Sequence, residues 1–160
     1  MASADLRKAM EATAREFFDS YQTGAMQKDP SLINRSVTPD CKRYLLPKSM
    51  LRAQGIPLDF AFDNETYQSE FAKDLTIGSV HGHDVANMIV DVEARKLAAT
   101  TTARVLFTVG ERETLVLEFA WFFDFNEDGS KITRVVEFTD GDAVQKMAAV
   151  ATAAKKDGEV

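Results

Sequence analysis

Apolar residues recur at helical spacing from Ser3 to about Met26, where Leu6, Met10, Phe17 and Tyr21 form one stripe widened by Ala9, Ala14 and Phe18. Ser3 can cap this helix and Gly24 can end it. Asp29-Pro30 predicts a second, short helix, because aspartate accepts orphan amide N–H groups and proline loses nothing at the first helical position; it ends before Thr38-Pro39. Tyr44, Leu45 and Leu46, held between Pro39 and Pro47, are too few for a helix and read as an edge strand or buried loop. Irregular chain follows at Gly55 and Pro57. A third helix fits 64–75, capped by Asn64 or Asp63, with Tyr67, Phe71 and Leu75 stacked four apart.

After Gly78 the pattern turns β-rich, and four strands are predicted over 78–93, 96–109, 113–125 and 131–140. The second and third join at Val109-Gly110-Glu111-Arg112, the third and fourth through 126–130, and neither loop has room for a crossover helix, so the sheet is expected to be antiparallel. A last helix fits Asp142 to Ala154, followed by a frayed tail. Helices first and a meander afterwards is an α+β order, with one sheet face wrapped around the helices.

Counting back from a two-residue turn at Gly110-Glu111 and from the 126–130 turn sets Ala103 opposite Glu118, Ala120 opposite Glu137 and Phe122 opposite Val135. One face then carries Thr101, Ala103, Glu118, Ala120, Phe122, Glu137 and Thr139; the other carries Leu106, Phe119, Trp121, Phe123 and Phe138. Both are largely apolar, so one is expected to cover the helices and the other to meet another subunit. The first is poor in bulk beside two carboxylates, as a cavity lining would be. Glu118 and Glu137 are expected to be diagonal neighbours roughly 7 Å apart, with pKa values raised by an apolar wall and by each other, fit to accept and return a proton.

The chain's 160 residues, 45% hydrophobic and 28% charged, suit one domain over 1–160 with its core at about 5–145. Nineteen Lys and Arg against twenty-five Asp and Glu, net charge -6, argue against nucleic acid as a partner. No apolar run approaches membrane-spanning length and the start lacks a signal-peptide stretch, so the expectation is a cytoplasmic protein with no membrane partner. Cys41 stands alone, which rules out an internal disulfide. His81 and His83 are the only histidines; two apart in a strand they would share a face, where solvation at the strand edge is the favoured reading, ahead of a proton relay with Asp84 and of a metal, which lacks a third ligand. Tyr21, Tyr44 and Tyr67 can bring phenols to the cavity to meet a developing enolate.

The segment Asp40-Cys41-Lys42-Arg43-Tyr44-Leu45-Leu46-Pro47, the helix start Asn64-Glu65-Thr66-Tyr67 with Phe71, and the closing run from Asp128-Gly129-Ser130 to Val136-Glu137-Phe138-Thr139-Asp140 resemble the SnoaL-like proteins of fungal secondary metabolism, within the nuclear-transport-factor-like cone fold. The resemblance implies a cone-shaped, curved antiparallel sheet packed against about three helices around a pocket, usually as a homodimer through the sheets. It also implies acid–base chemistry on polyketide or meroterpenoid intermediates without metal or organic cofactor. The positions carried over are Asn64, Tyr67, Glu118, Glu137 and Asp140. Where the family often has histidine this chain has Arg43, which stays protonated and can clamp a carboxylate or steady an enolate, but cannot act as a base.

The leading expectation is an isomerase or cyclase acting on a hydrophobic small molecule. Glu137 or Glu118 is the base, Tyr67, Asn64 or Arg43 steadies the oxyanion, and Tyr44, Phe71, His83, Phe122 and Asp140 contact the substrate. A dehydratase using His83 as proton donor, or a non-catalytic binding or dimerisation module, are the alternatives.

Overall fold

The computed structural model describes residues 3–110 and 113–158. Helix α1, Ser3–Gln27, buries Met10, Ala14, Phe17, Phe18 and Tyr21 along the expected stripe. It runs past Gly24 rather than ending there; the glycine marks a close approach instead, with Phe71 and the Asp29 carbonyl each 3.1 Å from where a β-carbon would sit. The short helix is a 3-10 turn, Pro30–Asn34, whose cap Asp29 accepts from the Ser31 N–H. Strand β1, Val37–Leu46, leads into α2, Lys48–Ala53, a six-residue helix with no side-chain cap and therefore no sequence signal at its start. Helix α3, Asn64–Ile77, is capped by Asp63, whose carboxylate accepts the Thr66 N–H at 2.8 Å. Strands β2, Gly78–Asp91, β3, Lys96–Phe107, β4, Thr114–Phe125, and β5, Ile132–Thr139, precede helix α4, Gly141–Asp157, capped by Asp140.

The sheet has the order β1-β5-β4-β3-β2. The meander β2 to β5 is antiparallel, whereas β1 joins β5 in parallel, so the sheet is mixed. This is an α+β fold in which a curved, unclosed sheet packs its inner face on helices. Phe17 and Phe18 of α1 meet Trp121 and Phe123 of β4 edge-on or tilted at 5.0–5.7 Å, which places the main core between α1 and the sheet centre.

The expected register is off by one at each of two places, and the two slips have one consequence. Phe107 N–H bonds to the Glu113 carbonyl and Thr102 sits opposite Glu118, so the β3–β4 connection is not the two-residue turn, part of which lies outside the described residues. In β5 the counted register holds at Phe125–Ile132 and then slips at a bulge before Asp124–Arg134. Both slips invert β4 alone. Glu137, Thr139, Thr101 and Ala103 keep the inner face; Phe119, Trp121 and Phe123 join them, while Glu118, Ala120 and Phe122 turn outward.

A second bulge sits in β2, where His81 pairs with Arg104 but His83 pairs with Ala103, leaving Gly82 as the extra residue with φ +67°. It separates the two histidines that simple alternation would put on one face: His81 is exposed and His83 turns in. A side chain at Gly82 would find space, the nearest atom being 3.7 Å away, so only the backbone resists substitution. Gly82→Ala is therefore expected to cost about 1–2 kcal/mol, checked as a lowered urea unfolding midpoint with unchanged slope.

Candidate active site

Helices α3 and α4, the α2 segment and the inner faces of β2 to β5 enclose a cavity of about 430 Å³. Its walls are mainly apolar, with Phe62, Phe71, Val80, Val105, Leu117, Phe119 and Met147 among them. Tyr21, Tyr67, His83 and Glu137 bring polar atoms to one region of it. Parity fixes Glu137 there: it stands opposite Trp121 on the inner face and is only 8% exposed.

Tyr67 donates to Glu137 Oε2 at 2.9 Å, and the Tyr21 and Tyr67 hydroxyls lie 2.7 Å apart. Because the Tyr67 proton goes to the carboxylate, the Tyr21 hydroxyl is the donor in the second contact, giving an ordered relay from Tyr21 through Tyr67 to Glu137. Glu137 Oε1 has no partner among the described residues and is not sealed from the cavity. Burial pushes the Glu137 carboxyl up to about 7, the Tyr67 hydrogen bond and the Arg43 charge pulling partly the other way. Burial and the neighbouring Glu137 also raise both phenols above their ordinary range, so they remain protonated donors.

Arg43 lies behind this relay. It is 0% exposed, donates through Nη1 to Asn64 Oδ1 at 3.0 Å and through Nη2 to the Ile33 carbonyl and Asn34 Oδ1, and has no ion-pair partner among the described residues. Its guanidinium carbon stands 4.4 Å over the Tyr67 ring. Asn64 in turn donates to the carbonyls of Thr38 and Pro39. Arg43 and Asn64 therefore position Tyr67 and do not line the cavity, so the expectation that either steadies an oxyanion directly is corrected.

The remaining expectations divide cleanly. Phe71 and His83 line the cavity. Glu118 is exposed on the outer face and Phe122, 49% exposed, shares that face, so the predicted carboxylate pair does not form. Tyr44 lies outside the cavity with Arg134 4.8 Å from its ring, and Asp140 is committed to the α4 amides of Asp142 and Ala143. Asp84 reaches Arg104 at 3.2 Å on the outer side, so it forms no relay with His83. Burial pushes the Cys41 thiol up to about 11, which makes it a poor nucleophile. Among the described residues no group of three or more His, Cys, Asp or Glu is arranged to hold a metal. Among the described residues no helix is long and apolar enough to cross a membrane. Sequence reasoning placed Trp121 and Thr101 on opposite faces and did not foresee their bond, Trp121 Nε1 to Thr101 Oγ1 at 2.8 Å. The aromatic run around Trp121 was a visible signal, but its facing depended on the turn.

Because folded Glu137 holds its proton to about 7, against an ordinary 4.5, its contribution to stability is full below 4.5 and is lost as pH rises through 7. Glu137→Gln removes this loss. Relative to the native protein, the variant is expected to gain on the order of 3 kcal/mol between about pH 4 and about pH 8, read by urea unfolding at both.

The sequence matches no family model and no curated protein. Its structure is similar to that of PrhC from Penicillium brasilianum, with TM-score 0.75, 19% identity, and coverage of 94% of this chain and 92% of that one. It is similar to BvnE pinacolase from Penicillium brevicompactum, with TM-score 0.73, 20% identity and coverage of 96% and 97%. An NTF2-like protein from Burkholderia pseudomallei aligns with TM-score 0.63 at 11% identity over 87% and 96%. The chain thus shares its fold with these proteins, a cone-shaped α+β fold of the kind the resemblance implied.

Proposed function

We propose that this protein is a SnoaL-like, cofactor-independent isomerase or cyclase that moves a proton on a polyketide or meroterpenoid intermediate. One observation carries the reading: a carboxyl poised to titrate near neutrality, held by Tyr67, which Tyr21 holds in turn, at the wall of a mainly apolar cavity. Glu137 Oε1 takes a proton from a carbon acidified by a neighbouring carbonyl, the carboxylic acid so formed returns it to another position, and Tyr67 holds Oε2 while this happens. A base whose pKa lies near the working pH is ionised often enough to accept the proton and acidic enough to give it back. The apolar walls hold the intermediate folded and exclude water. PrhC and BvnE, the latter named a pinacolase, share the fold and make an enzyme of this type a natural reading.

The elementary step can be tested without the natural substrate. Incubated in deuterium oxide with α-tetralone, an uncharged fused-ring ketone, the protein is expected to exchange the α-hydrogens faster than buffer does, read by mass spectrometry. Exchange at the buffer rate across the neutral pH range contradicts the proposal.

The outer face of the sheet supports a homodimer: Leu106, Val116, Phe122 and Phe138 stand 40–51% exposed on adjacent strands. Sedimentation equilibrium is expected to give a dimer for the native chain and a monomer for Phe122→Asp, with α-tetralone exchange preserved.

A further inference from the structure

His83 is a polar cavity residue that the acid–base step above leaves without a task. The Gly82 bulge turns it inward, where it stacks on Phe18 with ring centres 5.8 Å apart and meets the rings of Tyr21, Phe119 and Trp121 at 5.2, 5.5 and 6.0 Å. A ring caged this way has one orientation. Its Nδ1 lies 3.0 Å from Thr101 Oγ1, which also receives the Trp121 Nε1–H at 2.8 Å.

That three-member chain fixes a proton. Indole nitrogen only donates, so Thr101 Oγ1 accepts from Trp121, and the hydroxyl's own proton needs an acceptor. Thr101 is 3% exposed, and His83 Nδ1 is the acceptor within reach. Were Nδ1 protonated instead, the hydroxyl proton would be buried without a partner. The hydroxyl therefore donates to Nδ1, and the imidazole proton sits on Nε2. That nitrogen has no partner among the described residues and is not sealed within the protein, while the ring lines the cavity. Burial pushes His83 down to about 4, so the ring is neutral at working pH.

We infer that the Nε2–H of His83 donates to the carbonyl oxygen of the substrate, and that the substrate is an uncharged ketone. The inference rests on the reading of the cavity as an acid–base site. A neutral imidazole N–H is a donor that stays in place as charge develops on the oxygen, pre-oriented by Thr101 and Trp121 and needing no proton of its own to leave. The lining agrees with an uncharged ligand: Glu70, Asp74 and Glu137 line the cavity and no lysine or arginine does, so a carboxylate or phosphate entering it would find no cationic side chain in the wall to pair with. Tyr21 links the two halves, touching His83 with its ring and Tyr67 with its hydroxyl, so a ketone held at His83 lies beside the Glu137 relay.

With two histidines in the chain, ring-nitrogen NMR resolves each, assigned by His83→Gln. The native protein at neutral pH is expected to show His83 neutral with its proton on Nε2, and Thr101→Val is expected to mix the tautomers. In the infrared, the carbonyl stretch of carbon-13-labelled α-tetralone is expected to move to lower frequency on binding. His83→Phe abolishes most of that movement and weakens binding roughly threefold to tenfold. Glu137→Gln keeps the movement although exchange is lost, which separates failure of the carbonyl site from failure of the base. Thr101→Val retains part of it and serves if His83→Phe does not fold. Naphthalene-1-carboxylate is expected not to bind. A proton on Nδ1, an imidazolium at neutral pH, no saturable binding of α-tetralone, an unmoved carbonyl stretch in the native complex, or tight naphthoate binding would overturn the inference.

Discussion

Glu137→Gln is expected to reduce deuterium uptake by α-tetralone about 10²–10⁴-fold while leaving the fold intact. The amide matches the carboxylate in size and can still accept the Tyr67 hydrogen bond through its oxygen, so the relay from Tyr21 keeps its geometry. What disappears is the ability to hold a proton on the free oxygen facing the cavity. An interaction made only as the proton moves shows itself in kcat with KM nearly unchanged. Glu118→Gln serves as the comparison, since that side chain is exposed on the opposite face and its loss is expected to leave exchange within about twofold of native. Equal exchange by Glu137→Gln and native protein contradicts the assignment.

Arg43→Met is expected to destabilise the protein by about 3 kcal/mol and to move the base limb of the exchange profile to higher pH. Replacing a buried charge by an apolar side chain is sometimes harmless, because desolvation of the charge is relieved. Here the acceptors decide the outcome. The Ile33 carbonyl and the side-chain oxygens of Asn34 and Asn64 all face the guanidinium, and methionine leaves them without a donor. The three come from the 3-10 turn and the start of α3, so Arg43 joins both to β1. Lysine is not expected to rescue, since one ammonium cannot reproduce the planar fork. The kinetic effect follows from charge: Arg43 holds the Glu137 carboxyl lower than burial alone would, so its removal raises that group further above about 7. Urea unfolding and the pH dependence of exchange test the two parts separately; a loss below about 1 kcal/mol or an unmoved profile contradicts them.

Helices were legible in the sequence wherever a cap and an apolar stripe coincided, as at Asp29, Asp63 and along Leu6 to Tyr21. All four meander strands were legible because β-branched and aromatic runs alternate between clear turns. The parallel pairing of β1 with β5 was not, because it joins residues about ninety positions apart with no local signature. Glu137 and Glu118 show where local reasoning ends. Each reads as a carboxylate in an apolar strand, and a single residue in a turn or bulge sends one into the cavity and the other into solvent. Gly82 carries the signal that decides the histidines: a glycine inside a strand pattern marks a bulge, and that bulge is what parts His81 from His83. Tyr21 was legible both in the helix stripe and as a phenol for the cavity, because a phenol can pack its ring in a core and still present its hydroxyl to a cavity.

Direct titration of the Glu137 carboxyl, taken as the difference between carboxyl carbon-13 NMR spectra of native protein and Glu137→Gln, bears most closely on the whole account. A midpoint near 7 is the predicted result. A midpoint at the ordinary value of about 4.5 would mean a hydrated carboxylate, and with it no dry cavity in which this residue could carry a proton.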